Sequence, residues 1–351
     1  MKVKLALLVA ALQVLVLAFM AGQREWILRS GAPLVLRTAP VDPNDPMRGA
    51  YVRLDYEIST APAALCQGEV VKWIKAGDYY ANRSLRDRVV YAALKANAHG
   101  IAELASLSDT PPASGPFLRG RVESADLNGV RVRYGIEALF MHQEAARKME
   151  AMSSQRVGAP MDVTIAVGSS GIAVLKDTAW EPLGITIAFD RPPPRPDNDP
   201  QRWQPQPVTG VTVTLHNYGD KDLAIVDLPA GQSFRLVRNA RFPSGHYAWA
   251  KLNSTDRPTP RAEDIIVLKP RATHSVHLDL TQPEWWIVDT GKPGSAAIPL
   301  QKVPSSDIWT TSFRIEYAPL SAAAVRSLPH AELIRHAPVS SRAFNANRGV
   351  D

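Results

Sequence analysis

The chain has 351 residues, 45% of them hydrophobic and 21% charged, a balance that fits a folded, water-soluble body and excludes a disordered or fibrous chain. The net charge of +6 comes from basic residues scattered singly, with no Lys/Arg run interleaved with aromatics. Nucleic acid is therefore not an expected partner; anionic headgroups or an acidic cell-wall polymer suit the sign, but a solvated positive surface is the preferred reading. The single cysteine, Cys66, excludes an internal disulfide, so each part of the body needs a packed core, and the lone thiol reads as a small buried apolar residue.

Lys2 and Lys4 precede an uncharged run over residues 5–22, closed by Gln23-Arg24-Glu25. That run is close to the roughly 20 residues a helix needs to cross the hydrocarbon core. It is apolar all round, with Gln13 its one polar side chain, whereas a core helix shows a polar face. A cleaved secretory signal is the competing reading. It wants a shorter apolar region and small residues one and three positions before the cut, and cuts after Ala21 or Gly22 put Phe19 or Met20 at the third position. The sequence thus predicts an uncleaved signal-anchor at 5–22 that spans the lipid bilayer, with 1–4 in the cytoplasm. The charge bias is modest, Lys2 and Lys4 against Arg24 and Arg29. Long domains cross largely regardless of charge, so a translocated body is expected.

Beyond the anchor the fold class is mainly β. A mostly antiparallel β domain with one helix is expected at 23–178. Tyr51 to Ile58 alternates, with Val52, Leu54, Tyr56 and Ile58 on one face and Tyr51, Arg53, Asp55 and Glu57 on the other, the pattern of a half-buried strand. Further strands are expected at Arg119 to Val122, Val130 to Tyr134 and Met161 to Val167. Gly168-Ser169-Ser170-Gly171 then turns the chain into Ile172 to Leu175 as a hairpin. Met141 to Gln155, rich in Ala, Glu, Lys and Met, predicts a helix.

At 179–320 short strands at turn-punctuated spacing predict an immunoglobulin-like antiparallel sandwich. They fall at Ile185 to Phe189, Val211 to Leu215, Leu223 to Val226, Phe234 to Val237, Tyr247 to Leu252, Ile265 to Leu268, Ser275 to Leu280 and Thr311 to Tyr317. The Pro-rich stretch at 191–197 reads as an extended surface loop. Residues 321–351 read as a short helix and a C-terminal tail.

The stretch Pro40-Val41-Asp42-Pro43-Asn44-Asp45-Pro46-Met47-Arg48-Gly49-Ala50-Tyr51-Val52-Arg53-Leu54-Asp55-Tyr56, with Tyr134-Gly135-Ile136-Glu137-Ala138-Leu139-Phe140, resembles the bacterial GDYXXLXY family of membrane-anchored proteins over residues 1–178. Ala50 stands where that family has its eponymous Asp, so a role needing this carboxylate is absent or falls to a neighbour. The resemblance implies an envelope protein of uncharacterised function, single-pass in the inner membrane, with its body on the periplasmic or extracytoplasmic side. Physically, Asp42-Pro43 and Asp45-Pro46 suit consecutive turns. Gly49 permits a tight entry, and Leu54 and Tyr56 fill the core face, with Tyr134 and Glu137 the structural residues of the second motif. Arg48, Tyr51 and Arg53 are the candidate contact residues, ordinary cross-strand pairing of Tyr51 and Arg53 with a neighbouring strand being the alternative.

Other candidates for chemistry are weaker. His274 and His277 would sit on opposite faces of a strand and lack a third ligand, so no metal site is expected. Ser59 and Lys72 would suit a Ser-Lys peptidase, but the surrounding motif is missing, and no P-loop, nucleophile elbow or zinc signature implies a cofactor. Trp203, Trp249, Trp285, Trp286 and Trp309 suggest either aromatic platforms for glycan or core packing. Three readings follow: a non-catalytic interaction or scaffold protein with an unknown envelope partner, a binding module for cell-wall glycan or anionic polymer, and an unrecognised hydrolase around Asp42, Asp45, Arg48 and Tyr51.

Overall fold

A computed structural model describes residues 2–38, 51–75, 85–97, 99–126, 129–140, 142–190, 198, 208–239, 246–251, 257–292, 294–304, 307 and 311–345. The chain forms two compact units. Met1–Ala39, Arg48–His142 and Asp162–Ala179 make the first, and Pro40–Met47, Gln143–Met161 and Trp180–Asp351 make the second.

The first unit begins with helix α1 (Lys2–Ser30). Its stretch Val9–Ser30 is long and apolar enough to cross a membrane, and almost none of it is buried against the rest of the chain. Such a helix serves as a membrane anchor or a signal sequence. The helix continues about two turns beyond Gly22, where the apolar run ends. The charged residues there are good helix formers, and Arg29 reaches back one turn to Glu25 at 2.7 Å. Ile27 is buried, and the Gly31 N–H donates to its carbonyl at 2.7 Å, so the helix passes into the first strand with one residue between them.

The strands here are β1 (Ala32–Arg37), β2 (Tyr51–Arg53), β3 (Thr60–Pro62), β4 (Val89–Ala96), β5 (Ala102–Ser108), β6 (Phe117–Asp126), β7 (Gly129–Arg133), β8 (Ala138–Phe140), β9 (Met161–Val167) and β10 (Ala173–Trp180), with a short helix α2 (Glu69–Lys75). They make a five-stranded sheet β3-β7-β6-β4-β5, a three-stranded sheet β1-β9-β10 and a pair β2-β8. The hairpin expected around Gly168 to Gly171 is β9 and β10. Arg37 lies opposite Asp162 across β1 and β9 and makes two bonds to its carboxylate at 2.8 and 3.0 Å. A charge as buried as Arg37, 5% exposed, is tolerated because it is paired bidentately.

One expected strand is corrected. The alternation from Tyr51 to Ile58 continues as burial, with Leu54, Tyr56 and Ile58 all in the core, but β2 stops at Arg53 and a 3-10 turn occupies Glu57–Ser59. Tyr56 makes only an isolated antiparallel bridge to Thr38. Backbone groups that would extend the strand are taken up instead by the second motif, as described below.

The second unit has helices α3 (Gln143–Gln155) and α4 (Ala322–Val325) and strands β11 (Leu183–Phe189), β12 (Gly210–Asn217), β13 (Leu223–Val226), β14 (Phe234–Arg238), β15 (Tyr247–Trp249), β16 (Ile265–Leu268), β17 (Thr273–Asp279), β18 (Ile287–Asp289), β19 (Ser312–Tyr317), β20 (Val339–Ser340) and β21 (Phe344–Asn345). Its main sheets are β11-β12-β17 and β14-β19-β20, with β21 also on β19, beside the pairs β13-β16 and β15-β18. Ile185, Val213 and Leu215 share one core with Phe234, Leu236, Phe313, Ile315 and Tyr317, an arrangement of antiparallel sheets compatible with the immunoglobulin-like sandwich expected here. Past α4 the chain returns to the sheet through β20 and β21. The Pro-rich stretch at 191–197 lies outside the described residues.

Candidate functional site

The two sequence motifs meet in space and hold one another. The Tyr56 hydroxyl donates to the Ile136 carbonyl at 2.8 Å, and the Tyr134 hydroxyl donates to the Ile58 carbonyl at 2.9 Å. Tyr56 of the first motif thus pins the backbone of the second, and Tyr134 of the second pins the backbone just past the first. The Glu137 carboxylate accepts the N–H groups of Tyr134 and Gly135 at 2.5 and 2.9 Å, closing a turn in which Gly135 has φ 82°, a conformation that costs glycine little. The Leu54 N–H donates to the Glu137 carbonyl at 2.7 Å, and the Ser59 hydroxyl accepts the Tyr56 N–H at 3.3 Å. These bonds account for the early end of β2. Burial, with the nearby Glu137 charge, raises both tyrosines well above the usual phenol range, so they act as neutral donors.

Beside this clasp lies β2, whose residues Tyr51, Val52 and Arg53 pair with Phe140, Leu139 and Ala138. Among the described residues β2 has β8 alone as a sheet neighbour. Arg53 is 68% exposed and 3.9 Å from Glu123. Arg131 bridges Asp55 at 2.9 Å and Glu123 at 3.0 Å. Burial works against the Arg131 charge, yet the two carboxylates hold it above the ordinary guanidinium value. Arg53 is the outermost group of this alternating-charge row. Arg48, Gly49, Asp42 and Asp45 lie outside the described residues.

The other sequence candidates are used elsewhere. Ser59 is buried and occupied as a cap, while Lys72 is an exposed residue of α2 paired with Glu69 at 2.6 Å, so neither is the other's partner. Burial pushes the Cys66 thiol up to about 11, which keeps it protonated and unreactive at neutral pH. His274 bonds Asp227 at 2.7 Å and His277 bonds Asp190 at 3.0 Å. Among the described residues no three His, Cys, Asp or Glu side chains gather as a metal site. Trp285 is 4% exposed and stacks on Trp249 at 6.1 Å. The Trp249 and Trp286 ring N–H groups donate to the carbonyls of Glu284 and Thr281. Trp203 and Trp309 lie outside the described residues.

Fold and clasp together define a mainly β protein with an N-terminal apolar helix, its first unit tied by two reciprocal tyrosine motifs. Residues 13–177 match the family model described as GDYXXLXY protein, so this part of the chain is a GDYXXLXY-family domain. The match covers the apolar helix from Gln13, both motifs, and the β9–β10 hairpin as far as Asp177. No curated protein sequence matches the chain.

Proposed function

We propose that the chain is a membrane-tethered, non-catalytic interaction module of the bacterial cell envelope. In this reading α1 is an uncleaved single-pass anchor in the cytoplasmic membrane, and both units stand on the periplasmic or extracytoplasmic side. The observation that carries it is how the family motifs are used. Both tyrosine hydroxyls and the Glu137 carboxylate bond to backbone groups, a structural use of the motif side chains that fixes β2 beside β8, its one sheet neighbour among the described residues, with the opposite edge of β2 as the proposed contact edge. An extended segment of an envelope protein adding to that edge is held by main-chain hydrogen bonds and selected by the exposed Arg53. The exposed Trp26, flanked by Arg24 and Arg29, supports a helix end at the membrane–water interface.

Cross-linking in intact membranes tests the contact strand. The Tyr51→Ala/Arg53→Ala chain is expected to lose at least one protein that the unmutated chain captures, while staying in the membrane fraction. Identical captured sets overturn the assignment.

A further inference from the structure

The second unit contains a cleft of about 670 Å³, within the volume range of small-ligand sites. Four separate stretches build it. Arg156 follows α3, Trp180 ends β10, Tyr218 and Asp220 lie in the loop after β12, and Arg271 lies in the turn before β17.

This wall is stiff. Asn217 is fully buried, and its side-chain amide donates to the carbonyls of Lys221 and Leu268 at 2.9 and 2.8 Å while its oxygen accepts the Gly219 N–H at 2.8 Å. That ties the Tyr218 loop to the Arg271 turn, and the Arg271 N–H closes the tie on the Asn217 carbonyl at 2.9 Å. Arg271 itself has φ +66°, a left-handed conformation normally left to Gly or Asn. The Tyr218 hydroxyl donates to the Val157 carbonyl at 3.0 Å, and its N–H donates to the Pro182 carbonyl at 2.7 Å. The ring lies parallel to His216, 5.3 Å between centroids. It also covers Gly184, where a Cβ would come within 2.4 Å of it, so a side chain there would push the ring off.

The groups presented are complementary in kind. Trp180 and Tyr218 are half-buried rings, and neither the Arg156 nor the Arg271 guanidinium has an ion-pair partner among the described residues. Asp220 is exposed at the same cleft. Beyond His216 the outward face of β11-β12-β17 continues as a hydroxyl-rich surface: Thr186 bonds His216 at 2.7 Å, and Thr214 bonds Ser275 at 2.9 Å. Paired arginines recognise carboxylates in bidentate fashion, aromatic faces pack on apolar ring faces, and a carboxylate accepts bonds from hydroxyls. Hydroxyls along the adjoining sheet suit a ligand that is itself polyhydroxylated and longer than one unit.

We infer that this cleft binds an acidic saccharide, its carboxylate held by Arg156 and Arg271 and its ring packed on Trp180 and Tyr218. This site is distinct from the β2 edge and does not depend on a protein partner there. Titration calorimetry on the full chain, in a detergent without a sugar headgroup, tests it with trigalacturonate, neutral maltotriose and inorganic phosphate as probes. Trigalacturonate is expected to bind at least tenfold more tightly than either comparator. Arg271→Gly removes the guanidinium while relaxing the left-handed backbone, so it keeps the fold and should weaken trigalacturonate at least tenfold, as should Arg156→Ala. No binding of trigalacturonate, maltotriose or phosphate binding as tightly, or unchanged affinity in both variants overturns the inference.

Discussion

Replacing Tyr134 with Phe keeps the ring in its buried site and deletes one group, the hydroxyl that donates to the Ile58 carbonyl at 2.9 Å. The lost bond counts for about 1 kcal/mol net. The stranded carbonyl of buried Ile58 brings the expected cost to about 1–3 kcal/mol. Tyr56→Phe deletes the reciprocal bond to Ile136 at 2.8 Å and should cost a similar amount. Both bonds hold the same two segments together, so once one is gone the other has less order to protect. The double variant should therefore depart from additivity by about 0.5 kcal/mol or more. Hydrogen exchange on the full chain in micelles, followed in peptides covering residues 54–59 and 130–137, reads this opening without contribution from the second unit. Unchanged protection in both single variants, or costs that simply add, would refute the reciprocal clasp.

Alkaline pH should weaken the fold. Burial raises Cys66 to about 11 and lifts Tyr56, Tyr134 and Tyr317 above the phenol range. The unfolded chain therefore loses these protons first as pH rises. The stability they contribute is intact below about pH 9 and is lost as pH climbs through the thiol and phenol range. Urea midpoints should be flat up to about pH 9 and fall above it, later in Cys66→Ala than in the unmutated chain, and a midpoint that climbs instead contradicts the burial of these groups. Trp285→Ala removes a core ring and should cost the second unit about 3–5 kcal/mol in denaturant unfolding. A cost near zero would return Trp285 to the role of a surface platform.

Where hydrophobic period and turn residues agree, strand bounds are legible in the sequence. β9, β13 and β16 have the bounds expected for them, because Gly, Asp or Pro punctuates short β-branched runs there. β4 and β5 lack that agreement. Tyr91-Ala92-Ala93-Leu94 and Ala102 to Ser108 are rich in Ala, which fits either face of a strand and favours helix, so the period of two is blurred. The apolar run of α1 marked the stretch suited to the membrane but not the helix, since charged helix formers extend it to Ser30. From Leu54 to Ile58 the alternation matches the buried side chains, but the strand it implies stops at Arg53. The cause lies in residues about 80 positions away, at Ile136 and Glu137, which no local pattern reveals. The cleft is still less legible, for Arg156, Trp180, Tyr218 and Arg271 come from four unrelated stretches and share no motif.

The most direct test of the tethered, outward-facing body is protease treatment of spheroplasts carrying the full chain with a C-terminal tag. Loss of the tag without permeabilisation is expected, with a residual fragment containing α1 that stays with the membrane. A tag protected until the cells are permeabilised, or a soluble chain that begins just after Gly22, would contradict it.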